Sequence, residues 1–181
     1  VSTLVGGKGA GGTNGPKRSA KLHGPAGIAL DPAGNLYISE YAGHRIRRLG
    51  VDGMVTTVLG SGVAGYGTGL GVLGQVDTPF ELVWHPSDLL LVADRQNHRI
   101  RAVWPDGSNT VVAGTGATGY VDGPGGSAQL IRPTGLFLDI NGTVLYTDSG
   151  NQRVRSATLP WKHCDDGLPC TVDSCNAETG L

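Results

Sequence analysis

The sequence predicts an all-β fold in which one four-stranded unit occurs three times. The first observation behind this prediction is a period of 54 residues that aligns matching positions in three successive segments. The second is the glycine content, 31 of 181 residues, which suits many short strands joined by tight turns. Such a period indicates a supersecondary unit that buries its apolar face by stacking on copies of itself. The aligned positions are Pro25/Pro79/Pro133, Glu40/Asp94/Asp148, Arg45/Arg99/Arg153, Arg47/Arg101/Arg155 and Gly6/Gly60/Gly114.

The turn residues of the first unit predict where its strands end. Pro32 presets φ and Gly34 supplies a positive φ, so these residues predict a turn between the first and second strands. Asp52 and Gly53 form a hairpin signal between the third and fourth strands. Runs rich in β-forming residues fill the intervals. The predicted strands are residues 26–31, 36–40, 45–49 and 54–59.

The second unit repeats this order, whereas the third unit lacks its fourth strand. Residues 3–6 align with residues 57–60 and 111–114, which close the first two units. The N-terminal segment is therefore predicted to be an orphan fourth strand that completes a third unit. The other predicted strands are residues 80–85, 89–93, 99–104 and 110–113 in the second unit and 135–139, 143–147 and 153–157 in the third.

The composition argues against two classes of partner. Charged residues make up 16% of the chain and the formal net charge is -1. This is a poor basis for binding nucleic acid, because phosphate contacts need clustered Lys and Arg. No segment approaches the roughly 18 apolar residues of a membrane-spanning helix. We therefore expect neither nucleic-acid binding nor a membrane span.

The repeated segments resemble a known family. GPAGIALDPAGNLYISEYAGHRIRRL, DTPFELVWHPSDLLLVADRQNHRIRAV and RPTGLFLDINGTVLYTDSGNQRVRSA are similar to NHL repeats, with the Asn-His-Arg-Ile core at residues 97–100. They also resemble SMP-30/gluconolactonase/LRE-like regions. The resemblance covers about residues 1–160 and implies a β-propeller. We expect a three-blade propeller segment at residues 1–162 and a cysteine-rich tail at residues 163–181.

Three blades are too few to close a ring, since propellers typically have four to eight. An isolated chain would expose two apolar blade faces and open sheet edges. We expect homo-oligomerisation to close the ring, with the N-terminal strand of one chain completing the last blade of the next. Two chains would make six blades and four chains twelve. The alternative is that the chain is part of a longer propeller.

The repeated charged residues have a structural and a functional interpretation. The carboxylates could cap turns, or they could form a ring that binds Ca²⁺. The arginines could join neighbouring blades, or they could form a basic stripe for polyanions. Recurrence in every unit favours the structural interpretation, because a site usually breaks symmetry. The positions concerned are Glu40, Asp94 and Asp148, with Arg45, Arg99 and Arg153 and their neighbours two residues on.

Residues that break the repeat are better candidates for a site. Glu81 and His85 lie on the first strand of the second unit, where the other units have Gly and Asp. The resemblance to lactonases implies a divalent cation, Ca²⁺ or another, near the propeller axis. Glu81, His85, Asp31 and Asp139 are the candidate axial ligands, although no family motif maps onto them residue by residue.

The three cysteines all lie in the tail, at Cys164, Cys170 and Cys175. The tail resembles small cysteine-rich modules of secreted surface proteins. The spacing of the three cysteines favours a disulfide over a zinc site. A disulfide in turn favours an extracellular or cell-surface location. The odd count leaves one free thiol or an intermolecular bridge.

Two functional hypotheses follow from the sequence. The first is a secreted or surface propeller that binds a small-molecule or protein ligand, or assembles, without its own catalysis. The alternative is a metal-dependent lactone hydrolase, in which the cation polarises the lactone carbonyl as a Lewis acid.

Overall fold

The computed structural model describes residues 1–159 and contains three antiparallel sheets, which we call blades one, two and three. The predicted all-β fold is confirmed, and short 3₁₀ turns supply the helical residues. Blade one contains β1 (Gly15–Pro16), β2 (Pro25–Leu30), β3 (Leu36–Glu40), β4 (Arg45–Leu49) and β5 (Met54–Leu59). Blade two contains β6 (Pro79–His85), β7 (Leu89–Asp94), β8 (Arg99–Val103) and β9 (Asn109–Ala113). Blade three contains β10 (Pro133–Leu138), β11 (Val144–Asp148) and β12 (Arg153–Ala157). The 3₁₀ turns are Gly71–Leu73, Arg95–Asn97 and Ser149–Asn151.

The strand order repeats from blade to blade. It is β1-β5-β4-β3-β2 in blade one, β6-β7-β8-β9 in blade two and β10-β11-β12 in blade three. The two-residue β1 pairs with β5 and extends the first sheet by one strand that the repeat does not predict. The register of β3 on β4 recurs between β7 and β8, which pair Asp94 with Arg99. The 54-residue period is therefore a period of strand pairing as well as of sequence.

The hydrophobic core lies at the two seams between successive blades. At the first seam, Tyr37 and Ile46 of blade one pack in one buried cluster with Leu90 and Val92 of blade two. At the second seam, the alternate residues of β7, such as Leu91, join a second buried cluster that includes residues of blade three. Because neighbours in a strand point to opposite faces, a central blade needs apolar residues on both. This explains why β7 is buried along its whole length.

The outer faces of blades one and three have no neighbouring blade among the described residues. Val154 of blade three is 72% exposed, although its counterparts Ile46 and Ile100 are fully buried. Ile28 of blade one is 63% exposed, although its counterpart Leu82 is buried. The apolar pattern that forms each seam therefore continues onto both ends of the structure.

Residues 3–6 form no strand in the single chain, so the predicted completion of a third blade by this segment stays a prediction that needs a second copy. The physical reason is that a strand needs a hydrogen-bonded neighbour, and none lies beside this segment. The turn that follows it is nevertheless in place. Gly6 has a φ of 113° and donates to Lys17 O at 2.8 Å, as Gly60 donates to Gly71 O and Gly114 to Gly125 O.

Candidate functional site

Each blade contains a carboxylate–arginine pair between its second and third strands. The distance from Arg101 Nη1 to Asp94 Oδ2 is 3.0 Å, and both side chains are fully buried. Asp94 also accepts the backbone N–H of Asp77 at 2.8 Å, so it ties the incoming loop to the blade. Burial raises the pKa of Asp94, against the lowering influence of Arg101. The corresponding pairs are Arg47–Glu40 at 3.1 Å and Arg155–Asp148 at 2.9 Å.

Blade one forms this pair with different residues. In blade two, Asn97 Nδ2 donates to Asp94 Oδ2 at 2.9 Å. Blade one has Gly43 at that repeat position and the longer Glu40 in place of aspartate. A Cβ on Gly43 would lie 2.7 Å from Glu40 Oε2, so the longer carboxylate occupies the room that glycine leaves. The two departures from the repeat therefore fit each other sterically, although Glu40 Oε2 is left without a hydrogen-bond partner among the described residues.

The arginines that begin the third strands hold the loops between blades. The guanidinium of Arg99 lies 3.8 Å from the ring centroid of Tyr66, and that of Arg153 lies 3.9 Å from that of Tyr120. These are cation–π distances. Arg45 has Gly12 at the corresponding loop position and therefore no ring there, but it donates to Gly43 O as Arg99 donates to Asn97 O.

Two histidines accept hydrogen bonds from loops that lead into the next blade. Nδ1 of His98 accepts the backbone N–H of Arg132 at 3.0 Å, and Nδ1 of His44 accepts that of Thr78 at 3.2 Å. All four residues have left-handed backbone conformations. Burial and the nearby charge of Arg132 lower the pKa of His98, which favours the neutral form that can accept this bond.

Three of the four candidate axial ligands hold the turn after the first strand of their blade. Asp31 Oδ1 accepts Asn35 N at 2.7 Å, and Asp139 Oδ1 accepts Thr143 N at 2.7 Å. His85 Nδ1 accepts Ser87 N at 3.1 Å. Burial would raise the pKa of Asp31, but the hydrogen bonds from the Asn35 side chain and backbone lower it overall.

The fourth candidate, Glu81, lies on β6, where its Oε1 accepts the N–H of Leu82 at 3.3 Å. Within residues 1–159, no three His, Cys, Asp or Glu residues lie together in a group that could hold a metal ion. The structure therefore does not bring the four candidates together. The cysteine candidates Cys164, Cys170 and Cys175 lie outside the described residues.

A cleft of about 530 Å³ opens between blades one and two, where sequence reasoning placed no site beyond Asp31. The ring of Trp84 stacks on that of Tyr37, with centroids 5.2 Å apart and planes at 30°. Arg48 Nη2 donates to Asn35 Oδ1 at 2.6 Å beside them. A signal was available in the sequence, because Arg48 aligns with Ala102 and Ser156. The residues that line the cleft are Asp31, Pro32, Ala33, Asn35, Tyr37, Arg48, Trp84, Asp88 and Pro105.

The fold and the repeated loop contacts define a segment of propeller-type blades. Residues 22–49 match the NHL repeat, which confirms the resemblance inferred from the sequence. The described part of the chain has no helix long and apolar enough to cross a membrane.

Comparisons with known proteins agree with this class. The chain is 31% identical over 146 residues to the chloroplastic protein SUPPRESSOR OF QUENCHING 1 of Arabidopsis thaliana, covering 75% of this chain and 14% of that protein. It is 26% identical to an auxiliary nutrient binding protein from Bacteroides ovatus, with a TM-score of 0.64, covering 78% of this chain and 38% of that one. A gluconolactonase from Xanthomonas campestris shares the fold at 18% identity, with a TM-score of 0.53 over 70% of this chain and 35% of that one. The chain thus spans about a seventh of the curated relative and under two fifths of either solved structure.

Proposed function

We propose that this chain is a propeller-building module that assembles with further copies of itself and binds a ligand, without catalysis of its own. The observation that carries the proposal is the match between two unpaired elements. Blade three ends at β12, which has no fourth strand among the described residues, and residues 1–5 have no partner strand. The N-terminal segment of one copy would pair with the free edge of β12 in another copy, which is β-strand addition.

The repeat specifies the register of this added strand. In blade two, β8 pairs with β9 through Arg101–Val111 and Ala102–Thr110. Moving these pairs by the 54-residue period places Arg155 opposite Thr3 and Ser156 opposite Ser2 of a second copy. The docked turn at Gly6 supports this register, because it keeps the hydrogen bond that follows β5 and β9 in the other blades.

The exposed blade faces support the same assembly. Phe137 and Val154 form an exposed apolar face on blade three, and Ile28 and Leu30 form one on blade one. By the repeat, Ile28 and Leu30 of a second copy would take the places on blade three that Leu136 and Leu138 take on blade two. Burying four such side chains would contribute on the order of 1.5–3 kcal/mol each. Two copies would make six blades and four copies twelve.

Ligand binding is supported by the likeness to the nutrient binding protein, which is 26% identical to this chain over the aligned part. The likeness to a gluconolactonase shows the fold alone, so the lactone hydrolase stays a prediction from the sequence. The cysteine pattern supports an extracellular or cell-surface location for the module, which thiol titration of the protein isolated without reductant would test. A count of three free thiols would contradict it.

The first test of the proposal is the mass in solution by light scattering, with and without reductant. We expect a defined multiple of 18.6 kDa that survives reduction. A monomer would overturn ring closure by copies of this chain and would favour a longer propeller. A multiple that disappears on reduction would place the assembly in the cysteine tail and overturn strand addition.

A cross-link tests the register itself. In a background with the three native cysteines changed to serine, Ser2→Cys with Ser156→Cys should form a disulfide between chains, since opposed antiparallel residues lie at a suitable distance. Ser2→Cys with Ser61→Cys is the matched control, because Ser61 is an equally exposed serine that follows β5 in blade one rather than lying in blade three. Equal cross-linking in both proteins would contradict the register.

A further inference from the structure

Several residues that line the cleft between blades one and two depart from the repeat together. Five of its positions are polar or aromatic at this seam, whereas the same repeat positions at the next seam are aliphatic or small. The aliphatic set joins or packs against the core cluster there, so the fold of a seam needs only apolar residues at these positions. The five pairs of counterparts are Asn35/Leu89, Tyr37/Leu91, Arg48/Ala102, Trp84/Leu138 and Asp88/Gly142.

A hydrogen-bonded chain forms one wall of the cleft. Arg48 Nη2 donates to Asn35 Oδ1 at 2.6 Å, and Asn35 Nδ2 donates to Asp31 Oδ2 at 2.7 Å. The hydroxyl of Tyr37 donates to the same carboxylate oxygen at 3.4 Å. This chain orients the half-buried guanidinium of Arg48, a planar group that carries five N–H donors in all. A guanidinium fixed in advance loses little side-chain entropy when it binds.

Aromatic surface forms another part of the lining. Trp84 is half-buried and stacks on the fully buried Tyr37, so its position is set before any ligand arrives. Its Nε1 is buried and has no acceptor among residues 1–159. A buried donor without a partner is uncommon in folded proteins and marks a position where structure alone does not explain the residue.

The lining of the cleft therefore combines the indole of Trp84, an oriented cation, Arg48, and an exposed carboxylate, Asp88. A hydroxyl group both donates and accepts hydrogen bonds, so a polyol satisfies both charged groups while its C–H face rests on the indole. The volume of about 530 Å³ lies within the usual range for small-molecule sites. We propose that this cleft binds a small neutral polyhydroxylated ligand, such as a monosaccharide. The inference rests on the proposed binding function and names its site and ligand class.

The test is binding of D-glucose, D-galactose, D-mannose and D-xylose to the full chain. Saturation-transfer NMR and tryptophan fluorescence detect the binding. We expect at least one of these sugars to bind at millimolar concentration. Trp84→Leu and Arg48→Ala should each weaken that binding about tenfold, since each removes an aromatic or charge-assisted contact. Both changes install the residue that another blade carries at that position, so the seam should still pack.

Arg18→Ala is the matched control, because it removes an exposed arginine outside the cleft and should leave binding unchanged. The inference is overturned if no sugar binds, if the two cleft variants bind as well as the native chain, or if glycine and alanine bind there instead. Light scattering on the same samples separates this result from ring closure. A monomer that binds sugar would support the cleft proposal and contradict ring closure. An oligomer that binds no sugar would support the assembly and contradict the cleft proposal.

Discussion

His98 carries a hydrogen bond between blades two and three that depends on its protonation state. Nδ1 accepts the N–H of Arg132, and the pKa of His98 is lowered from its usual 6.5 by burial and by the charges of Arg132 and Arg99. Below pH 6.5 the unfolded chain binds a proton that the folded chain excludes, so stability falls as the pH decreases toward the folded pKa. Protonation at Nδ1 removes the acceptor.

We predict that His98→Gln reduces this loss of stability between about pH 7 and pH 5. Glutamine has an acceptor and does not titrate, and Gln152 occupies the same position in blade three with the same left-handed conformation. Urea unfolding at several pH values measures the effect. An unchanged pH dependence in the variant would remove His98 from this role.

Buried Arg101 should matter far more to stability than exposed Arg153. Arg101 donates to Asp94, to the carbonyls of Gln75 and Gly67, and to Asn109, whereas Arg153 donates to a backbone carbonyl and lies over Tyr120. Removing one partner of a buried pair leaves the other charge uncompensated.

We predict that Arg101→Ala lowers the free energy of unfolding by about 3–5 kcal/mol. Arg153→Ala, the same chemical change at an exposed arginine, should cost about 1 kcal/mol or less. Chemical denaturation of both variants gives the comparison. Similar costs would mean that the repeated carboxylate–arginine pairs contribute little to the fold.

Among the elements, the glycine turn that follows each fourth strand links one blade to the next. A Cβ on Gly114 would lie 2.3 Å from His98 O, and one on Gly60 would lie 2.3 Å from His44 O. Gly6 makes no such close approach in a single chain. In the proposed assembly its neighbour would be Gln152 O of a second copy, by the same repeat.

We predict that Gly6→Ala weakens assembly, since the added Cβ would meet the second copy's backbone. Gly9→Ala is the matched control, because Gly9 also has a positive φ but has nothing within 4 Å of an added Cβ. Sedimentation over a range of concentrations should show dissociation at higher concentration for Gly6→Ala than for Gly9→Ala. Identical behaviour of the two variants would contradict the proposed contact between the turn at Gly6 and the backbone of a second copy.

At the scale of the whole molecule, blades one and three each have an apolar face that a single chain leaves exposed to solvent. We predict that Val154→Asp abolishes assembly, because it places a charge on the face that a second copy would bury. Val154 is 72% exposed in one chain, so the stability of the monomer should change by no more than about 0.5 kcal/mol. Light scattering and urea unfolding test the two halves of this prediction. An oligomer that tolerates the aspartate would place the interface elsewhere.

The repeat made most strands predictable, and the structure places them within a few residues of the expected positions. One expected strand needs a second copy, and one element departed from the expectation. Residues 3–6 form no strand in the single chain, since strand formation depends on a neighbouring strand. The pair β1–β5 forms through a loop whose path the period does not specify.

The site was less predictable than the fold. Glu81 and His85 break the repeat, and so do Arg48 and Trp84, which line the cleft. Which departures lie together could not be read from the chain, because Arg48 and Trp84 come from different blades that meet at a seam.

Period, turn chemistry and strand composition thus specify the blades of this protein from the amino-acid sequence, because these are local properties of the chain. Folding alone establishes which groups meet across the loops and seams. The partners of Arg101 lie 7 to 34 residues away along the chain, and the stacking of Tyr37 on Trp84 joins two blades. Such contacts depend on how whole sheets pack, and packing is a property of the assembled blades rather than of any single segment.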